Sequence, residues 1–238
     1  MIRNAAIVAA AMAAALSAAE AANLSVTPSR LDLSQQVKAT SLRLSNHDSQ
    51  PVTVQARVFR WTQSGGEDVL VRADEIVASP PITTLGPNSE GLFRIVRLDD
   101  GAAADEQAYR VFVEQVPEAL NASGANLTIS VRYSIPLFVR HGAGAPPDLS
   151  WTARRAGDHL VVEARNDGGL HAKLTRFELR SADGRSLVKT EGLVGYVLPG
   201  SVRSWSFPIS GASTASGAGL VIEAHTQSGV ATTDATVR

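Results

Sequence analysis

The chain has 238 residues, 44% of them hydrophobic, with 22 lysines and arginines against 23 aspartates and glutamates and a formal net charge of -1. That length holds one large domain or two of roughly 100 residues, each able to bury its own core. The balanced charge, free of blocks of one sign, argues against disorder and nucleic-acid binding, and the absence of cysteine removes disulfides, thiol catalysis and the commonest structural zinc sites.

In chain order, Arg3 precedes an apolar Ala-rich run from Ala5 to Leu16, followed by small residues at Ser17, Ala18, Ala19, Ala21 and Ala22. This is the pattern of a secretory signal peptide, placed at residues 1–21 with cleavage between Ala19 and Ala22. No later run is apolar enough to span a bilayer, so export without stable membrane insertion is expected.

Leu24 to Leu33 reads as extended chain broken at Pro28, which cannot donate to a ladder and favours an edge or a strand switch. Strands are expected at Ser41–Ser45, at Pro51–Trp61 with Val52, Val54, Ala56 and Val58 on one parity, and at Val69–Val77, Leu92–Leu98 and Ala108–Val116. Asn46 to Gln50, Gly65-Gly66, Ser79-Pro80-Pro81 and Gly86-Pro87-Asn88 supply the turns.

The stretch from Asn126 to Arg140 carries the longest period-two signal. Leu127, Ile129, Val131, Tyr133 and Ile135 alternate with Thr128, Ser130, Arg132 and Ser134. Such a row either points into the protein's own core or is offered to a partner by strand addition, where alternate side chains fill the partner's pockets.

His141 to Asp148, with Pro146-Pro147, has the composition of a connection, and beyond it the strand pattern restarts through seven further segments to Val237. No convincing helical periodicity occurs after the signal. The expected fold is all-β: two immunoglobulin-like sandwiches, at 22–141 and 142–238.

Catalytic patterns are missing. There is no Gly-x-Ser-x-Gly elbow, phosphate-binding glycine loop or His-Glu-x-x-His. The five histidines are scattered, mostly beside turn residues, and read as surface groups; the acidic cluster Asp99-Asp100 with Asp105-Glu106 reads as a solvated turn. No metal or cofactor is expected.

At this point several phrases together resemble a known family. Thr27-Pro-Ser-Arg-Leu31, Ser79-Pro-Pro-Ile82, Arg110-Val-Phe-Val-Glu-Gln-Val-Pro117, Ile135-Pro-Leu-Phe-Val-Arg140 and Gly195-Tyr-Val-Leu-Pro-Gly200 are similar in order and spacing to the periplasmic chaperones of chaperone–usher pilus assembly, in the archaic branch that serves spore-coat-U-like subunits. The resemblance implies a two-domain chaperone, at an angle about a cleft, that lends the last strand of its first domain to a pilus subunit with an incomplete Ig-like fold and delivers it to an outer-membrane usher. Carried over by position, Leu127, Ile129, Val131 and Tyr133 would be donor residues. Arg30 would hold the subunit's C-terminal carboxylate. The second basic residue of the family falls at Pro136, where this chain departs from the pattern, and Arg132 is the nearest basic residue of the same parity. Glu106 and Arg140 would form an interdomain ion pair, with Gln227 near the place of its second-domain aspartate. An unoccupied donor strand would give the free protein a route to self-association.

From the residues alone two other classes stay open. A secreted Ig-like adhesion or scaffold protein would bury the Asn126–Ile135 row inward. A carbohydrate-active enzyme would need clustered carboxylates and exposed aromatics, whereas Trp61, Trp151 and Trp205 all lie in or beside strands.

Overall fold

A computed structural model describes residues 24–98, 105–117, 130–209 and 217–238. The signal-peptide assignment and donor positions Leu127 and Ile129 lie outside the described residues. Two β-sandwiches follow one another along the chain, and every regular element among the described residues is a strand.

In the first sandwich, β1 (Leu24–Thr27), β3 (Ala39–Asn46), β8 (Glu90–Arg97) and β6 (Ile76–Ser79) form one sheet in the order β1-β3-β8-β6. The other sheet runs β2 (Leu31–Ser34), β10 (Arg132–Arg140), β9 (Gln107–Gln115), β4 (Val52–Ser64) and β5 (Glu67–Arg72), with β7 (Ile82–Leu85) also paired to β4. Of the edge or strand switch expected at Pro28, the chain makes the switch: β1 pairs antiparallel with β3 in one sheet, and β2 pairs parallel with β10 in the other. The single strand expected over Val69–Val77 is instead two. β5 is an outlying hairpin arm of the second sheet, β6 belongs to the first, and the chain crosses between them at Ala73–Glu75. Pro80 and Pro81 mark the crossing back to β7, which sequence patterning did not reveal.

The inward row of β4, Val52, Val54, Ala56 and Val58, is buried as its parity requires. It meets Leu42, Leu44, Phe93, Ile95, Val111, Val113, Ile135, Leu137 and Val139 in one core. Burying side chains of this size contributes about 1.5–3 kcal/mol each, so this core supports the domain without covalent cross-links.

The second sandwich opposes β11 (Leu149–Ala156), β12 (His159–Asn166) and β15 (Val202–Pro208) to β14 (Ser186–Val197), β13 (Ala172–Ser181), β16 (Gly219–Thr226) and β17 (Gly229–Thr236). Its core holds Trp151, Leu160, Val162, Leu174, Phe177, Leu179, Val197, Leu220 and Ile222.

Both sandwiches use one device at a strand end. Asn46 accepts the Asp48 N–H through its side-chain oxygen and donates to the carbonyls of Gln50 and Gly86. Asn166, fully buried, accepts from the Gly168 and Asp148 N–H groups and donates to the carbonyls of Leu170 and Val197. The asparagine closes an Asx turn and saturates backbone groups that would otherwise be buried unpaired. Asn166→Ala is therefore expected to lower the stability of the protein by about 2–4 kcal/mol, read by denaturant unfolding, because it strands several buried polar groups at once.

Candidate functional site

The two sandwiches meet over a third cluster of buried apolar residues: Trp61, Ala108 and Phe138 from the first, Tyr196 and Leu198 from the second. The face that these first-domain residues share follows from parity. On β4, β9 and β10 one set of residues points into the core, while Trp61, Arg110, Phe112, Glu114, Arg132, Pro136 and Phe138 point outward toward the junction or the open surface beyond it.

The junction is tied by main-chain contacts as well as apolar ones. The β4–β5 hairpin reaches across: the Gln63 amide donates to the Tyr196 carbonyl at 2.9 Å and accepts the Leu198 N–H at 3.0 Å. The Ser204 N–H and the Arg203 guanidinium both donate to the Gly66 carbonyl. Gly66 has φ +82°, and a Cβ there would lie 2.2 Å from Ser204 Oγ, so glycine suits both the turn and the close approach.

At the other side of the junction sits Glu106, whose side chain is 0% exposed. One carboxylate oxygen accepts the His171 backbone N–H at 3.0 Å and pairs closely with His171 Nδ1; the other accepts from Arg140 Nε at 3.0 Å. Burial works against the Glu106 charge, yet the bonds from His171 and Arg140 outweigh it and hold the carboxyl below the ordinary glutamate value. His171 is 1% exposed and stacks on Phe138, ring centroids 3.6 Å apart. The Gln227 amide donates to the His171 carbonyl at 2.6 Å, so the place of the expected aspartate is filled by a residue that holds backbone, and the second-domain partner of Glu106 is His171. The reading of all five histidines as surface groups fails at this one, and Glu106 is no solvated turn residue.

Arg30 lies between β1 and β2. Its Nε and Nη2 donate to Asp32 at 3.0 and 2.6 Å, its guanidinium stands 5.0 Å over the Phe138 ring, and its Nη1 lies 3.5 Å from His171 Nε2. Partial burial disfavours its charge, but the hydrogen bond and charge of Asp32, with Glu106 farther off, raise its pKa above the ordinary arginine value. About a third of the side chain remains exposed.

Arg132 is elsewhere. Its side chain is 63% exposed, pairs with Glu114 and lies 5.4 Å over Phe112, so none of its contacts is shared with Arg30. A neighbour of Pro136 that was not visible in the sequence is Arg110, which stands directly across the ladder from it. Arg110 lies 3.7 Å over Trp61 and 5.4 Å over Tyr196, is half-buried, and among the described residues is paired with no carboxylate. Burial pushes its pKa down. Directly opposed residues of an antiparallel pair have Cβ atoms about 4.5–5.5 Å apart, so Arg110 offers a cation one strand over from where the sequence resemblance placed one. The signal that could have found it is register, which alternation alone does not fix.

Among the donor positions that are described, Val131 is half-buried and Tyr133 packs against the first core, donating its hydroxyl to the Leu24 carbonyl. Ile135, Leu137 and Val139 of the same row are core residues. The row is thus divided between this protein's own core and the segment before it. On the side away from β9, β2 covers only Leu137–Arg140, leaving Arg132–Pro136 without a paired strand there among the described residues.

Residues 23–143 match the family of pili and flagellar-assembly chaperones, PapD N-terminal domain, and the chain belongs to that family. Among solved structures, the chaperone–tip adhesion subunit pre-assembly complex CsuC–CsuE of the archaic chaperone–usher Csu pili of Acinetobacter baumannii is 25% identical with a TM-score of 0.70, covering 91% of this chain and 100% of that one. The complex of the Salmonella enterica SafA pilin with the SafB chaperone (18%, TM-score 0.60, 92% and 98%) and the E. coli chaperone DraB (21%, 0.58, 91% and 97%) share the fold. A search of curated protein sequences found no match.

The Glu106 carboxylate carries a pH dependence whose sign follows from its lowered pKa. A group held below its unfolded value of about 4.5 contributes its full stabilisation above that pH, and the contribution is lost as pH falls further, through the lower folded value. The melting temperature of the native protein is expected to exceed that of Glu106→Gln at neutral pH, and the difference to shrink steadily below about pH 4.5, in parallel thermal melts.

Proposed function

We propose that this protein is a non-enzymatic periplasmic chaperone that completes pilus subunits by lending them a strand, caps them, and delivers them to an outer-membrane usher. The observation that carries the reading is the divided row on β10. Ile135, Leu137 and Val139 are locked into the first core with Tyr133 packed against it, the β10 edge at Arg132–Pro136 is covered by no described strand opposite β9, and the same apolar parity runs back in the sequence through Val131, Ile129 and Leu127. An Ig-like subunit lacking its last strand exposes an apolar groove and two strand edges, both aggregation hazards, and an extended donor answers both with main-chain bonds and alternate side chains.

In this reading Leu127, Ile129 and Val131 enter the subunit, and Tyr133 marks the boundary because it is already engaged with Leu24. Arg30 and Arg110 hold the subunit's C-terminal carboxylate. They flank one aromatic platform of Trp61, Phe138 and Tyr196, and guanidinium pairs suit a carboxylate's two oxygens. Arg132, bound to Glu114 on the outer surface, supports the strand and does not reach the anchor. The domains are 22–141 and 142–238, joined through Glu106, Arg140 and His171, which set the angle between them. The N-terminal signal directs export and is removed.

The comparison that tests this uses two variants of one row. Ile129→Asp is expected to keep the native melting temperature while losing co-purification of an exported pilus subunit co-expressed in the periplasm; Leu137→Asp is expected to unfold the chaperone outright. If Ile129→Asp unfolds as well, the whole row belongs to this protein's core and the donor assignment is wrong.

A further inference from the structure

Resting on the carboxylate-anchor reading above, we propose that His171, on the second sandwich, is a positioning residue for Arg30 on the first, so that the grip on a subunit's carboxylate depends on how the sandwiches are docked. The argument begins at Glu106. Its carboxylate is wholly buried and kept ionised, and a carboxylate can only accept hydrogen bonds, so the proton between it and His171 sits on Nδ1. In a neutral imidazole the other nitrogen is then an acceptor. That nitrogen, Nε2, faces Arg30 Nη1 at 3.5 Å.

Asp32 takes Nε and Nη2 of Arg30, which holds one edge of the planar guanidinium but lets the whole group hinge about that edge, because Asp32 is itself half exposed. His171 Nε2 supplies the acceptor on that side. The imidazole cannot move to follow, because it is stacked within 5° of parallel on Phe138, bonded to Glu106 through both its backbone and its ring, and held at its carbonyl by Gln227. Arg140, Glu106, His171 and Arg30 thus form one chain of contacts that crosses the domain junction twice. A guanidinium fixed at both edges binds a carboxylate with less ordering cost than one fixed at one edge. Because the acceptor belongs to the other sandwich, separating the domains would free the guanidinium to hinge about its Asp32-bound edge, and carboxylate binding would in turn favour docked domains.

The test uses the subunit that co-purifies with the native chaperone, prepared with its own C-terminus and with a Ser-Gly extension that moves the carboxylate away. The native chaperone is expected to retain the unextended form about tenfold better, the scale of one hydrogen bond to a charged group. Arg30→Ala should reduce that preference to the part that Arg110 alone sustains, within about twofold. His171→Phe keeps a ring against Phe138 but offers no acceptor, and is expected to reduce the preference to within about twofold, whereas His171→Gln, whose amide oxygen can accept from Arg30, should restore most of it. A purely structural role would weaken both subunit forms together and leave the ratio unchanged, which would overturn the proposal. A native chaperone with no preference between the two forms would overturn the carboxylate anchor itself, and the positioning role with it. Long-range proton–nitrogen NMR of the unmutated protein gives an independent reading that needs no variant to fold: His171 should carry its proton on Nδ1, and a proton on Nε2 in the neutral ring would refute the assignment.

Discussion

A carboxylate taken entirely out of water at the meeting of two domains is the constraint on which this architecture turns. Such a charge is tolerated only when its lone pairs are met, and the partners of Glu106 come from both sides: Arg140 from its own sandwich, the backbone and ring of His171 from the other. Neither sandwich could satisfy it alone. The pairing therefore works less as a source of net stability than as a specification of geometry, because few relative placements of the domains bring all three donors to one carboxylate. The β4–β5 hairpin adds directional bonds at a second place, through Gln63 and Gly66, so the junction is fixed at two separated points.

The cleft follows from the same sheet that builds the first core. A pleated sheet has two faces, and here the inner one is wholly aliphatic and aromatic packing while the outer one carries Trp61, Phe138, Arg110 and Arg132. Arginines on that outer face spread over aromatic rings, Arg110 over Trp61 and Arg30 over Phe138, which shelters cations from water without neutralising them. Burial lowers the pKa of Arg110 yet leaves it a cation at any physiological pH, since an arginine is not deprotonated in proteins. In the proposed function, this cation, stacked on rings and paired with no described carboxylate, is the second holder of the subunit's carboxylate.

Legibility in the sequence divided along physical lines. Alternation and turn chemistry disclosed the two sandwiches, most strand positions and the switch at Pro28, because these depend on local parity and on a missing N–H. The chain's phrases, compared with a known family, pointed to Arg30, Glu106 and Arg140, and the structure brings the last two together. What escaped was everything set by register and by the packing of distant segments. Arg110 is one strand away from the position that the resemblance indicated, a displacement that no linear pattern records. His171 sits in a run of turn residues and became a buried partner only because β13 begins against the other domain. β5 and β6 read as one apolar stretch because a crossing between sheets leaves no mark on hydropathy when both arms are strands.

Pro136 and Arg110 are best understood as a matched pair. The Val131 carbonyl accepts from the Gln115 N–H, so the odd residues of β10 bond to β9 and the even ones direct their backbone groups to the opposite side. The N–H that proline lacks would therefore have faced away from β9, at the point where cover by β2 gives out, and its loss removes no bond from the β9 ladder. Proline stiffens the chain where β10 passes from core strand to open edge, with its φ fixed near -65°. The cation that a longer side chain would have supplied at this position is delivered instead from across the ladder, on a residue whose backbone stays in the sheet interior. Charge and rigidity, which one residue cannot provide together, are thus divided between two strands facing the same cleft.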